Sequence, residues 1–247
     1  VRQSIPGVAV PEIGQVETYI QIIDKAGYFE VTKLSADDIK RNEMYQANAK
    51  RNIAQASFTD YGEYLKSLEM VGTIKPFEDI YMSRIAQLSN KSNQFNLTTR
   101  RYTQAEIEAV AADNSRYITL YGKLEDKFGD NGVVSVLIGE KKSSELHMDL
   151  WLMSCRVLKR DMEFAMMDKL VEECKKNNIH KIFGYYYPTA KNKMVKEFYG
   201  LQGFDKVMED EEGNSTWEFI IPDEYEKKNK AINDRIYGIK FIYATNT

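Results

Sequence analysis

The 247 residues include only two cysteines, Cys155 and Cys174, and two histidines, His147 and His180. Two thiols cannot build a disulfide framework, and a chain this sparing of cysteine fits a reducing cytoplasm, the expected location. Two histidines are too few for a rich acid–base or metal centre, so no metal is assigned. Long apolar runs are missing as well. Stretches such as 133–138 fall far short of the ~20 residues a spanning helix needs, and no signal-peptide core opens the chain, so a membrane is not an expected partner. Neither charge dominates: 34 basic against 37 acidic residues give a net charge of −3. That balance supplies no long-range field for nucleic acid, and no basic stripe interleaves with aromatics.

What is present is enough hydrophobic residue, 43% of the chain, to bury one substantial core and an appendage. The chain opens on Val1 rather than methionine and reads as a truncated or processed product. From Gly14 to Met70, Val16, Ile20 and Ile23, then Ile39, Met44 and Ala47, then Tyr61, Tyr64, Leu65 and Leu68 recur at helical spacing. This predicts three helices, with Ser35 and Asp38 as a capping-box-like start for the second. From Val71 short strands alternate with helices. Strands are expected at 72–77, 117–123, 133–138, 147–153, 181–186, 204–208 and 216–221, and helices at 80–88, 104–112, 162–176 and 193–201. The tail begins polar and lysine-rich, then regains alternation at Ile236, Ile239, Phe241 and Tyr243, which predicts an added edge strand.

The most polar stretch is Asn90–Tyr102, NKSNQFNLTTRRY. Its asparagines, hydroxyls and guanidinium groups offer hydrogen-bonding forks suited to an anion or a carbonyl-rich ligand, with Phe95 and Leu97 left to pin the segment down. Asn93, Asn96, Thr98, Arg100 and Arg101 are its candidate binding residues. A solvated loop is the bland alternative. Cys155 falls at the expected end of a strand, beside Arg156 and just before a helix, where a thiol pKa is lowered and the thiol becomes a candidate acyl acceptor. The alternative is a small buried hydrophobe, the role expected of Cys174. Strict alternation along 147–153 sets His147, Asp149 and Trp151 on one face, leaving Asp149 as a candidate base or substrate anchor or as half of an ordinary surface pair. His180 reads as a surface residue. In YYYPTAKN, residues 185–192, Tyr185 and Tyr187 face one way and Tyr186 the other, with Lys191 placed to meet phosphate or carboxylate.

NKSNQFNLTTRRYT, WLMSCRVLKR at 151–160 and YYYPTAKNKMVKEFY at 185–199 resemble the C-terminal half of the FkbH-like family, over about residues 1–219. Members of that family join a phosphatase domain of the haloacid-dehalogenase type to a domain resembling the GNAT acyltransferases, and load a glyceryl unit onto an acyl carrier protein. The resemblance implies an α/β (α+β) GNAT-like fold, a mixed and mostly antiparallel sheet flanked by helices and preceded by a helical connector. It places the connector at 1–70, after an absent phosphatase core, the GNAT-like domain at 71–222 and an extension at 223–247. No DxDx(T/V) motif is present, the nearest carboxylate pair being Asp37 and Asp38, so phosphatase chemistry is not expected in this chain.

By the same resemblance the phosphopantetheine arm of a carrier protein, or coenzyme A, enters where two strands splay apart, with its phosphates at the helix start near 156–161. GNAT proteins show (Q/R)-x-x-G-x-(G/A) there, whereas this chain reads R-V-L-K-R-D: Arg156 stays, and Lys159 and Asp161 replace the small residues. Glycine lets backbone approach a phosphate, and Asp161 brings a like charge, so binding of coenzyme A is weakened. Lys159 and Arg160 remain able to attract one phosphate or the acidic surface of a carrier protein. In Asn192-x-x-Val195-x-x-Phe198-Tyr199 the resemblance gives Asn192 the pantetheine arm and Tyr199 the role of general acid near the thioester sulfur, with Tyr187 lining the cleft; core packing is the alternative for Tyr199. Three readings follow: glyceryl or acyl transfer to a carrier protein, a non-catalytic carrier-docking module working with the phosphatase domain, and an independent coenzyme A-dependent N- or O-acyltransferase.

Overall fold

The structure, a computed structural model, describes residues 11–12, 14–27 and 41–234. The expected capping box at Ser35, the Asp37–Asp38 pair and the edge strand at 236–243 lie outside them. The chain divides into two units, Val1–Gln46 and Ala47–Thr247. The first contains a short 3-10 turn, Val16–Thr18, and helix α1, Tyr19–Lys25; the division falls within helix α2, Arg41–Ala56.

In the second unit, α3 (Tyr61–Ser67) leads into a sheet built from β1 (Val71–Lys75), β2 (Tyr117–Asp126), β3 (Gly129–Lys142), β4 (Glu145–Met153), β5 (Lys181–Tyr186), β6 (Asp205–Glu209), β7 (Ser215–Ile220) and β8 (Asn233–Asp234). Helices α4 (Met82–Lys91) and α5 (Gln104–Ala112) sit between β1 and β2, α6 (Met162–Lys176) between β4 and β5, and α7 (Phe198–Leu201) before β6. The strand order is β6-β7-β5-β4-β3-β2-β1-β8. Strands β1 to β4 pair antiparallel in sequence, while β4 and β5, joined by a helical crossover, pair parallel. This mixed, mostly antiparallel sheet with flanking helices is the architecture and element order expected of a GNAT-like fold.

Helices cover both faces because their apolar residues recur at three- and four-residue spacing. On one face Met162, Ala165, Met166 and Leu170 of α6 pack with Leu120, Leu137 and Trp151 of the sheet and with Tyr64, Leu65 and Leu68 around α3. Gly122 permits this approach, since a Cβ there would lie 2.0 Å from Cε of Met162. On the other face Met82, Ile85 and Leu88 of α4 and Ile107 and Val110 of α5 cover Tyr121, Val136, Ile138, Leu150 and Leu152. Each such side chain contributes about 1.5–3 kcal/mol on full burial. A capping box fixes the start of α5: the Thr103 hydroxyl accepts from the Glu106 N–H, and Glu106 accepts from the Thr103 N–H at 2.7 Å.

One irregularity in β4 sets the site. Ile138 pairs with Leu150 and Gly139 with Met148, leaving Asp149 as an extra residue in a β-bulge. The bulge reverses side-chain parity. Leu146 and Met148 face the α6 side before it, whereas Trp151 and Met153 face that side after it. His147 and Trp151 therefore point to opposite faces rather than sharing one, and strict alternation fails here.

Candidate functional site

Strands β4 and β5 are paired only from Glu145–Lys181 to His147–Phe183 and then diverge. Two strands that separate expose unpaired N–H and C=O groups, which need partners. Here the partners come from the chain itself. Residues Phe95–Leu97, in the loop between α4 and α5, run along the end of β4: Met153 donates its N–H to Phe95 O at 3.0 Å and Leu97 donates to Trp151 O at 3.1 Å. Asn96 forms an antiparallel bridge with Leu152. On the other side, Tyr187 at the end of β5 donates to Leu97 O at 2.9 Å. The three inserted residues are buried, and the Phe95 ring meets Phe198 edge-on at 4.8 Å.

Asn192 fastens this insertion. It is fully buried, and its Oδ1 accepts from Thr189 N at 2.7 Å and Thr189 Oγ1 at 3.0 Å. Its Nδ2 donates to Asn96 O at 3.0 Å and Tyr187 O at 2.9 Å. Asn192 is thus a staple between two turns, with its amide already engaged rather than open to a pantetheine arm. Asn96 shapes the second turn by accepting from Thr99 N at 2.9 Å, with Thr99 at φ +56°. Thr98 donates to the carbonyl of bulged Asp149 at 2.7 Å.

Beyond that turn the polar segment divides in role. Arg100 is exposed and pairs with the Asp149 carboxylate, while Tyr102, a residue the sequence did not mark, donates its hydroxyl to the other Asp149 oxygen. Arg100 also lies over the Tyr102 ring, 5.1 Å from its centroid. Burial raises the Asp149 pKa, opposed by Arg100. With both oxygens engaged, this carboxylate is a structural anchor of the bulge rather than a free base. Arg101 instead donates to the Ser89 and Ser92 carbonyls at the end of α4 and to Asn93, closing the helix. His147 does not pair with Asp149. Its Nδ1 shares a 2.6 Å hydrogen bond with the Tyr185 hydroxyl, and its ring stacks on Phe183 at 5.0 Å. Burial, then nearby Lys142, holds its pKa below the usual histidine value.

Tyr199 does not line the splay. It is fully buried among Trp151, Phe198, Phe204 and Trp217. Gly184 of β5 leaves room for the ring, because a Cβ there would come within 2.4 Å of it. Burial pushes its phenol well above the usual range, so the general-acid role expected of it gives way to core packing.

The helix start after β4 is also filled from within. Cys155 is exposed, which removes the buried-hydrophobe alternative for it, while Cys174 is buried and its thiol is pushed up to about 12. Arg156 is half-buried and donates to Ser154 Oγ at 3.3 Å. Lys159 and Asp161, standing where glycine or alanine was expected, have φ of +64° and +61°. The left-handed backbone that favours glycine is retained, each residue carrying a strain of about 1–2 kcal/mol. Tyr61 of α3 donates to the Lys159 carbonyl at 2.8 Å.

Arg160 points inward to Asp126 at 3.4 Å, a carboxylate already held by Arg51 of α2 through bonds of 2.7 and 2.9 Å. Its side chain is 12% exposed, so it serves this buried network and not the surface phosphate contact expected of it. At the N-terminus of α6, where a diphosphate would sit, the Glu163 carboxyl is buried, with no hydrogen-bond partner for its Oε2 among the described residues, and burial raises its pKa against the opposing effect of nearby backbone N–H groups. Asp161 accepts the N–H of Lys230 at 3.2 Å.

Lys191 and Lys193 are exposed, with no ion pair among the described residues, and Tyr187 and Met194 are 43% and 57% exposed. No cluster of three or more metal-ligating side chains occurs among the described residues, and no helix there is long and apolar enough to cross a membrane.

Neither a protein-family model nor a curated protein matches the chain. Among solved structures, it is similar to the ribosomal-protein-S18-alanine N-acetyltransferase from Escherichia coli at 13% identity and a TM-score of 0.47, over 63% of this chain and 97% of that one. It is similar to the PaiA N-acetyltransferase from Thermoplasma acidophilum, in complex with coenzyme A, at 13% identity and 0.46, over 60% and 98%. A third is the spermidine N-acetyltransferase from Vibrio cholerae in complex with coenzyme A and spermine, at 12% and 0.46, over 61% and 95%. Likeness at this level carries no argument about activity, which rests on the site itself.

Proposed function

We propose that this chain is a protein-docking module with acyltransferase-type architecture, which recruits an acyl carrier protein to an FkbH-like partner domain in the cytoplasm without binding the pantetheine arm in the splay. Glyceryl loading would then be carried out on the phosphatase-type domain. The observation that supports this reading is the Phe95–Leu97 insertion, whose backbone takes the hydrogen-bonding positions along β4 and β5 that an extended amide-bearing ligand would need. The buried Glu163 carboxyl at the start of α6 adds to it, since a side chain already stands where an anion would approach the helix N-terminus.

Calorimetric titration and thermal shift with coenzyme A, acetyl-coenzyme A and a carrier protein with and without its phosphopantetheine test this. The expected outcome is no response to either coenzyme and equal response to both carrier forms. A ligand at 100 times its Kd would add about 2.7 kcal/mol. Coenzyme A producing such a shift, or a carrier that responds only when it bears the arm, contradicts the reading.

The exposure of Cys155 beside Arg156 favours a second reading. In it the thiolate attacks a carrier thioester, takes the acyl group and releases the carrier thiol. Complete retention of glyceryl transfer in Cys155→Ala excludes it.

A further inference from the structure

The two turns fastened together by Asn192 differ in charge from the rest of the chain. Residues Asn90–Gln104 and Phe183–Lys196 contain six lysines and arginines and no Asp or Glu, in a protein whose net charge is −3. The cations divide by use. Arg101 closes α4, Arg100 is balanced by Asp149, and Lys196 pairs with Glu209 at 2.9 Å. Lys91, at the end of α4, and Lys191 and Lys193, on the turn between β5 and α7, are left without an ion pair among the described residues. The same turn exposes Tyr187 and Met194.

Rigidity accompanies this chemistry. Asn192, between the two lysines, makes four hydrogen bonds of 3.0 Å or less while wholly buried. A preorganised turn gives up little conformational entropy on binding, so charge and apolar contact made from it are not spent on ordering the loop. Exposed aromatic and thioether groups beside unpaired cations suit a partner with an apolar spot rimmed by carboxylates.

We propose that the turn Tyr187–Met194 is the docking surface for an acidic protein partner, with Lys191 and Lys193 meeting its carboxylates and Tyr187 and Met194 its apolar surface. This rests on the docking function proposed above and names the surface that performs it. Lys191 and Tyr187 thereby become contacts for the body of a carrier protein rather than for its prosthetic arm. A protein partner is favoured over nucleic acid because this turn carries only two unpaired cations and an exposed methionine lies beside them.

The test uses the full chain and an acyl carrier protein lacking phosphopantetheine, with Lys191→Glu/Lys193→Glu and, separately, Tyr187→Ala. Both lysines and Tyr187 are exposed, so unchanged melting temperatures verify folding. Expected are a tenfold or greater loss of affinity on charge reversal, a smaller loss for Tyr187→Ala, and wild-type affinity that falls steeply with salt. Binding unaffected by charge reversal overturns this surface while leaving the docking function standing. No binding of the carrier by the wild type overturns both. Tighter binding of a single-stranded oligonucleotide than of the carrier, lost on charge reversal, overturns the assignment of a protein partner.

Discussion

The two places where a GNAT-like fold is expected to meet its ligand, the β4–β5 splay and the start of α6, are both occupied, but by different means. In the splay, backbone is added: Phe95–Leu97 supplies hydrogen-bond partners to both diverging strands. At the helix start, the left-handed backbone persists at Lys159 and Asp161 and side chains change its chemistry, with the Glu163 carboxyl buried there and Arg160 turned to Asp126. Filling by backbone removes the space for a ligand. Filling by side chain leaves the backbone geometry in place. Substitution can therefore undo the second and not the first.

The largest effect is expected beneath the helix start. Asp126→Ala would leave Arg51, 2% exposed, as an uncompensated buried cation, a loss of about 3–5 kcal/mol in urea unfolding. Asn192→Ala ranks next, because the buried Asn96 carbonyl loses its partner and the Thr189 turn loses its acceptor. About 2–3 kcal/mol is expected from such orphaned groups, with faster amide exchange at Leu97 and Tyr187. Lys159→Gly should have the opposite sign: relief of a left-handed side-chain residue raises stability by about 0.5–1 kcal/mol, read as a higher Tm. Asp161→Gly relieves the same strain but gives up the bond to Lys230, so its gain should be smaller.

The smallest effect is in pH dependence. The His147 pKa is lowered in the folded chain, chiefly by burial, so the unfolded chain binds the proton first. Stability from this group is full above about pH 6.5 and declines as pH falls from there through the folded pKa. His147→Gln should flatten that part of the Tm profile; an unchanged slope would show that another group controls it.

Much of the fold was legible in the sequence. Helices α5 and α6 and strand β5 have the limits expected from periodicity, 104–112, 162–176 and 181–186, because apolar spacing marks them. Strand β3 runs over 129–142 rather than 133–138. Its ends pair as hairpin arms through polar residues, which carry no apolar alternation. In the site, Arg100 and Asp149 were both marked, yet their pairing spans 49 residues and depends on a bulge that nothing in the sequence of β4 announces. The filling of the splay was illegible for a stronger reason. It is made by backbone N–H and C=O groups, which every residue carries, so the polar side chains of 90–102 pointed to an external ligand where the chain supplies an internal one.

Amide hydrogen exchange at Leu97, Met153 and Tyr187, with and without saturating coenzyme A, tests the internal occupation of the splay most directly. Slow exchange is expected at all three, unchanged by coenzyme A. Fast exchange at Met153 and Leu97 in the free protein, or a change in their protection on adding coenzyme A, would contradict it.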